Sequence, residues 1–198
     1  MQVLNKNRLT GVKKPFRLEE IWRIRTRLEI EGNLMQLALL NLAIDSKLRA
    51  SDLLNLHVYD VSSQGSIFER VHCVQQKTKT SVHYEITPRT QQSLSHWLIT
   101  SNLEPESFLF PSCRHKNQPI SYSYYRAIIR QWAKKLGLNA DSYGTHSMRR
   151  TKATLVYAKT KNIRAVQLLL GHAKVDNTIR YLGVELEDAL LLSEGTDC

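Results

Sequence analysis

Cutting a phosphodiester without a metal needs four things: a hydroxyl nucleophile, cations on the two nonbridging oxygens, a group to take the nucleophile's proton, and an acid for the leaving oxygen. The 198-residue sequence holds side chains of each kind. Tyr181, near the end of the stretch LLLGHAKVDNTIRYLGV, Arg49 with Arg149, His146 and Lys77 can fill those roles in turn. Arginine suits the clamp because its planar fork matches two oxygens and its charge persists at any working pH. Lysine suits the acid role because partial burial brings its pKa down towards a useful range. Taken singly, each residue has an ordinary explanation. A helical tyrosine packs its ring, His172 after LLLG can cap the following helix, Arg49 can be a surface cation, and HSMRR can be an exposed helical turn.

The composition narrows the partner. Lysine and arginine number 28 against 18 acidic residues, a formal charge of +10, which points to a polyanion. From Thr145 to Tyr181 there are eight basic residues and one acid, Asp176, whereas the leucine-rich end from Leu182 to Cys198 has five acids and no lysine or arginine. The three cysteines, Cys73, Cys113 and Cys198, show no C-x-x-C spacing, so neither a disulfide framework nor a zinc finger is expected, and a reducing compartment is the simplest reading. The most apolar run, LMQLALLNLAI, falls far short of the roughly 20 residues that span a bilayer and reads as a buried helix. The basic start MQVLNKNRLTGVKKPF lacks the apolar stretch of a secretory signal.

The elements that must position these residues follow from periodicity. RLEEIWRIRTRL puts Leu18, Ile21, Trp22 and Leu28 near one helical stripe, the apolar run follows, and KLRASDLLNL reads as a turn into a short helix. The period then switches. SIFERVHCV and VHYEIT read as strands, the second alternating Val82, Tyr84 and Ile86 with polar residues, and QQKTKTS between them is a cationic hairpin tip. Helical patterns resume at RTQQSLSHWLI, YSYYRAIIRQWAKKLG, THSMRRTKATLVYAKT and NIRAVQLLLG, with Asn162 as an N-cap and Gly137 and Gly171 as stops. The predicted fold is α+β, mostly α, with a small antiparallel hairpin or sheet.

KLRASDLLNL, QQKTKTSVHYEIT, HSMRRT and LLGHAKVDNTIRYL resemble, in this order, the first arginine box, the hairpin lysine, the H-x-x-R box and the G-H-x-x-x-x-x-T-x-x-Y box of the tyrosine recombinases, a family that includes phage integrases and fimbrial inversion recombinases. The resemblance runs from about Leu18 to Glu194. It implies that Tyr181 attacks a DNA phosphate to form a 3'-phosphotyrosyl link, that Arg49 and Arg149 hold the phosphoryl oxygens, and that Lys77 protonates the departing 5'-oxygen. It further implies that His146 is the acid or base at the tyrosine, that His172 donates a hydrogen bond to the phosphate, and that neither ATP nor metal is required. Lys79 is the alternative acid if the hairpin register slips. Asp52 reads either as a buttress for Arg49 or as an exposed helix-start acid. Lys79, Arg150 and Lys174 are read as contacts to the DNA backbone.

These readings divide the chain into an N-terminal extension at 1–16, a catalytic domain at 17–183 and an acidic tail at 184–198. The tail either docks on its own domain or, as the family implies, packs into a neighbouring protomer. Most of the family carry a DNA-binding domain ahead of the catalytic one, so the sequence reads either as the catalytic part of a longer protein or as a short recombinase of the fimbrial-inversion kind. The expected partner is double-stranded DNA, with a homotetramer on paired sites, no membrane and no cofactor, in the cytoplasm of a bacterium at its nucleoid. Relaxation of DNA by a type IB topoisomerase route and non-catalytic DNA binding are the alternatives. The complete residue set argues against the latter, and the short segment after Tyr181 favours recombination over relaxation.

Overall fold

The computed structural model describes residues 13–182, so the readings made for residues 1–12 and for the acidic tail at 184–198 lie outside the described residues. Among those described, eight α-helices and two small antiparallel ladders follow in the order α1 (Leu18–Ile30), α2 (Leu34–Ser46), α3 (Ala50–Leu54), β1 (Ser62–Ser63), β2 (Ser66–Ile67), β3 (Arg70–Val74), β4 (Ser81–Glu85), α4 (Pro88–Ser101), α5 (Tyr122–Lys135), α6 (Thr145–Thr160), α7 (Ile163–Leu170) and α8 (Val175–Leu182). The mostly helical α+β expectation holds. No described helix is long and apolar enough to cross a membrane.

α2 is the apolar run, and it is the centre of the core. Residues Leu37 to Ser46 are all buried, as a helix apolar on every side must be, and α1, α4 and α6 pack around it. Asn33 starts it by accepting from the Gln36 amide at 3.2 Å, and Lys47 in the left-handed region ends it. Its buried Asn41 is satisfied by the helices it touches. Asn41 accepts from Arg25 Nε at 2.7 Å and donates to Ser93 Oγ at 3.1 Å.

Two local readings need correction. In α1 the buried stripe is Ile21, Ile24 and Leu28, while Leu18 and Trp22 are 55% and 43% exposed. Those two sit at the margin of the stripe, and the Trp22 ring is covered by the guanidinium of Arg89 at 4.4 Å and that of Arg25 at 5.2 Å. SIFERVHCV is two strands, not one. β2 pairs with β1, and β3 pairs with β4 in a register that sets Val71 opposite Tyr84 and Cys73 opposite Val82. Val82, Tyr84 and Ile86 do face the core.

One buried charge cluster ties the helices to that hairpin. Asp45 of α2 accepts from the Thr87 amide at 2.9 Å, Thr87 Oγ1 at 2.7 Å, Thr90 Oγ1 at 2.6 Å and Lys152 Nζ of α6 at 2.7 Å. Lys152 also pairs with Glu85 of β4, which Lys47 approaches from the other side. Burial pushes the Asp45 carboxyl up, but the bonds from Lys152, Thr87 and Thr90 outweigh it and hold the pKa below the ordinary value; Glu85 is likewise lowered, against its own burial, by Lys152 and Lys47.

A depressed carboxyl pKa contributes stability that is present above the unfolded value, near 4, and lost as the pH falls through the folded one. Burial alone would lower Lys152, but the two carboxylates raise it, so its contribution is present below its unfolded pKa and lost only in strong alkali. Lys152→Met is therefore expected to cost about 3–5 kcal/mol in urea unfolding at pH 7, because Asp45 is left buried without its counter-charge. The same variant is expected to lose less stability than the wild type between about pH 5 and 3, over which the carboxyls take up protons.

Candidate active site

Three elements bring four reactive side chains together. Arg49 stands at the N-cap of α3, Lys77 on the β3–β4 tip, and His146 and Arg149 one turn apart on α6, so that the helical spacing puts the last two on one face. All four line a single cleft of about 240 Å³, together with Ala50, Ser51, Tyr122 and Thr145. Tyr122 and Thr145 join their hydroxyls at 3.0 Å on its wall.

The two arginines are fixed from behind by one residue and one carbonyl. Arg149 is 3% exposed and its Nη2 donates to the Leu170 carbonyl at 2.7 Å. That carbonyl ends α7, where it has no partner inside the helix and carries the negative end of the helix dipole. Gln75, 1% exposed, donates to the same carbonyl through Nε2 at 3.2 Å and accepts from Arg49 Nη1 through Oε1. The approach is close enough to require glycine next in the chain. Gly171 has φ +64°, and a Cβ there would lie 2.5 Å from Val82 Cγ1 and 3.3 Å from Gln75 Nε2.

Tyr181 and His172 lie near Arg149 but are not among the residues that line the cleft. The Tyr181 ring meets His172 edge-on at 5.4 Å, the Arg150 guanidinium sits over it at 5.4 Å, and its hydroxyl is buried without a hydrogen-bond partner among the described residues. Arg149 Nη1 and Arg150 Nε are buried and make no well-aligned hydrogen bond either, although Arg149 and the Tyr181 hydroxyl lie close enough for a looser interaction that pulls against the effect of burial on both. His172 Nδ1 meets Thr178 Oγ1 of α8 at 3.0 Å, which ties the histidine to the helix that carries the tyrosine.

The electrostatics is that of a slot for an anion. Among the described residues none of Arg49, Lys77, Arg149 and Arg150 forms an ion pair. Burial and then the charges of Arg149 and Arg49 bring His172 down to about 4, so it is neutral at pH 7. His146 is lowered by partial burial and by Arg149, Arg49, Arg150 and Lys77. Burial draws Arg149 down to about 10, still charged at pH 7, with Tyr181 acting in the opposite sense. The Tyr181 hydroxyl is pushed up by burial, which Arg149, Arg150 and Arg49 only partly offset. No cluster of three His, Cys, Asp or Glu side chains among the described residues is arranged to hold a metal ion.

Several sequence readings change in detail. Lys79 has φ +54°, shapes the turn through its amide bond to the Gln75 carbonyl at 2.8 Å, and is not in the cleft lining; Lys77 is. Asp52 is 4% exposed, so it is not a solvated acid; its Oδ1 accepts from the Gln76 amide at 2.9 Å and anchors the hairpin beside Gln75, reaching Arg49 only through it. Arg150 is 8% exposed with its guanidinium over the Tyr181 ring, and Lys174 is exposed between α7 and α8. Sequence reasoning passed over Gln75, Tyr122 and Thr145. A glutamine at a hairpin tip reads as solvated, and only its burial shows otherwise. Thr178 was visible in the final box, without a role.

A sequence model described as the phage integrase family matches residues 16–187. The chain is 30% identical over 175 residues to a Bacillus subtilis (strain 168) protein named "Probable integrase/recombinase YoeC", covering 88% of this chain and 91% of that one. It is 33% identical over 153 residues to a tyrosine recombinase of Pseudothermotoga lettingae, covering 75% of this chain and 51% of the relative, so it spans about half the length of that protein. Among solved structures it shares the fold of XerA recombinase, with TM-score 0.74, 21% identity and coverage of 93% and 65%. It shares that of XerH bound to difH in a pre-cleavage complex as well, with TM-score 0.70, 20% identity and coverage of 92% and 54%.

The contact between the end of α7 and the hairpin can be tested directly. Gly171→Ala is expected to destabilise the fold by about 1–3 kcal/mol, from the left-handed backbone and the clash with Val82 together, and to lower the thermal midpoint by several degrees. A midpoint equal to that of the wild type would show that the hairpin does not approach Gly171 as described.

Proposed function

The chain belongs to the phage integrase family, and from that premise we propose that it is a site-specific DNA recombinase that cuts and rejoins strands through a 3'-phosphotyrosyl intermediate. The observation that carries the proposal is the meeting of Arg49, Lys77, His146 and Arg149 around one cleft, with the Tyr181 hydroxyl near Arg149. Arg49 and Arg149 hold the two nonbridging oxygens of the scissile phosphate. Tyr181 Oη attacks phosphorus, the bond to the 5'-oxygen breaks, and Lys77 gives that oxygen its proton. His146, whose pKa is lowered by burial and by its cationic neighbours, takes the tyrosine's proton. His172 is neutral at pH 7. With Thr178 donating to Nδ1 the proton sits on Nε2, available to a phosphate oxygen. The phosphotyrosyl diester keeps the energy of the original bond, so a 5'-hydroxyl of a second strand reverses the step without ATP or metal.

In the described pose Tyr181 lies under Arg150, so attack requires α8 to bring the ring out towards the cleft. Lys79 and Lys174, exposed on either side, are read as backbone contacts. Residues 17–183 are the catalytic domain, acting on double-stranded DNA at the nucleoid, in the cytoplasm. The acidic tail at 184–198 docks on a neighbouring protomer of a tetramer that joins two sites. Deleting 184–198 is then expected to weaken the pairing of two sites more than the binding of one duplex in gel-shift titrations; equal loss of both would place the tail on its own domain.

The experiment that tests the mechanism uses nicked duplexes in EDTA, which trap the covalent intermediate. The wild type is expected to give a denaturant-resistant adduct and Tyr181→Phe none. Lys77→Ala is expected to cleave about 10²- to 10⁴-fold more slowly, the range of a lost general acid. A bridging sulfur at the leaving position is expected to restore that rate, because a thiolate departs without a proton. Lys79→Ala should keep nearly the wild-type rate; if it is the slow variant that sulfur rescues, the acid is Lys79.

A further inference from the structure

The site contains a buried side chain to which the reaction assigns nothing. Gln75 touches three parts of the machinery from one position. Its Oε1 accepts from Arg49 Nη1 and, at 2.9 Å, from Thr78 Oγ1, and its Nε2 donates to the Leu170 carbonyl at 3.2 Å. The orientation of the amide is dictated by its neighbours. A guanidinium only donates and a carbonyl only accepts, so the oxygen must face Arg49 and the nitrogen must face Leu170. The Leu170 carbonyl takes its second hydrogen bond from Arg149 Nη2, so the two arginines are joined through one amide and one carbonyl. The backbone of Gln75 also closes the tip that carries Lys77, donating to the Thr80 carbonyl at 2.9 Å and accepting from the Lys79 amide at 2.8 Å. On the far side Asp52 holds the next residue, Gln76, through its amide.

From this geometry we infer that Gln75 is a positioning residue, which sets the angle and separation of Arg49 and Arg149 so that both reach one tetrahedral oxyanion, and which places Lys77 at its edge. The inference deepens the proposed function and rests on it for the identity of that oxyanion, a phosphodiester. The physical reason for a neutral amide here is charge. An acid in this place would pair with Arg49 and cancel the positive field that the slot needs, whereas an apolar side chain would leave Arg49 unguided. An amide alone offers an acceptor to the arginine and a donor to the carbonyl, with no net charge.

The test compares the wild type, Gln75→Met, Arg49→Ala and the double variant on the nicked duplex under single-turnover conditions. Gln75→Met is expected to lower the rate of adduct formation by about 10- to 100-fold, the range seen when a group that orients a ligating side chain is removed. Duplex affinity and melting midpoint should stay near those of the wild type. In the Arg49→Ala background the same change is expected to have a smaller effect, because part of its action runs through that arginine. A wild-type rate in Gln75→Met, or an equal loss with and without Arg49, overturns the inference. If Gln75→Met melts below the assay temperature, Gln75→Leu, which likewise removes the side-chain hydrogen bonds without adding charge, is judged by the same two outcomes.

Binding of inorganic tungstate by calorimetry separates this inference from the proposed function. Tungstate bound by the wild type and about tenfold more weakly by Gln75→Met, with no adduct from any duplex, would keep the role of Gln75 and remove the recombinase reading. Equal tungstate binding by both would overturn the role of Gln75 whatever the cleavage rates. A wild type that neither cleaves nor binds the oxyanion would overturn both.

Discussion

Like charges held together without ion pairs are the constraint on which the rest of this structure depends. Arg49, Lys77, Arg149 and Arg150 converge on one region, where burial and neighbouring positive charge lower the pKa of both histidines. Such a cluster works against the folded state until an anion arrives, so the fold must hold it by other means. It does so with dipoles in direct contact, and with the Asp52 carboxylate nearby but in no ion pair with the cluster. The Leu170 carbonyl at the end of α7 receives Arg149, the Gln75 amide receives Arg49, and both leave the positive field intact. The full charges that stabilise the domain are one layer away, in the Asp45, Lys152 and Glu85 cluster. α6 is shared between the two layers, with Arg149 in one and Lys152 in the other, three residues apart.

The placement of Tyr181 follows from the same balance. Its ring fills part of a small apolar cluster with Val156, Tyr157 and Leu182 against Ala153, Val166 and Leu170, and burial keeps its hydroxyl protonated. A tyrosine in this state is a poor nucleophile. A phosphate seated between the arginines would compete for the charge now turned on the hydroxyl. The connection from His172 through Thr178 to α8 offers a route by which a group near the phosphate can feel where the tyrosine is. Reactivity would then depend on bound DNA and not on the free chain.

Much of this was legible in the sequence, because patterns of burial and special backbone positions leave marks in residue types. The all-apolar α2, the alternation of Val82, Tyr84 and Ile86, the Asn162 cap and the left-handed Gly171 could all be read that way. So could the boxes whose side chains now share a cleft. What stayed hidden depends on which face of a short element is covered by something distant in the chain. Trp22 looks like core until Arg89 is seen over it. Gln75 looks solvated until the end of α7 is packed on the hairpin. Arg150 looks like a surface cation until α8 folds across it, and Asp52 cannot be assigned until the Gln76 amide comes within reach.

The central claim is that one phosphate sits between Arg49 and Arg149, held by the end of α7 and the hairpin, with Tyr181 as the nucleophile. A crystal structure of the Tyr181→Phe chain with a duplex that it binds tests this most directly. The account predicts a phosphate with its nonbridging oxygens on both guanidinium groups, Lys77 beside the 5'-oxygen, and the substituted ring turned out from under Arg150 to face phosphorus. A duplex bound across another face, or a phosphate in the cleft with the ring still packed beneath Arg150, would contradict it.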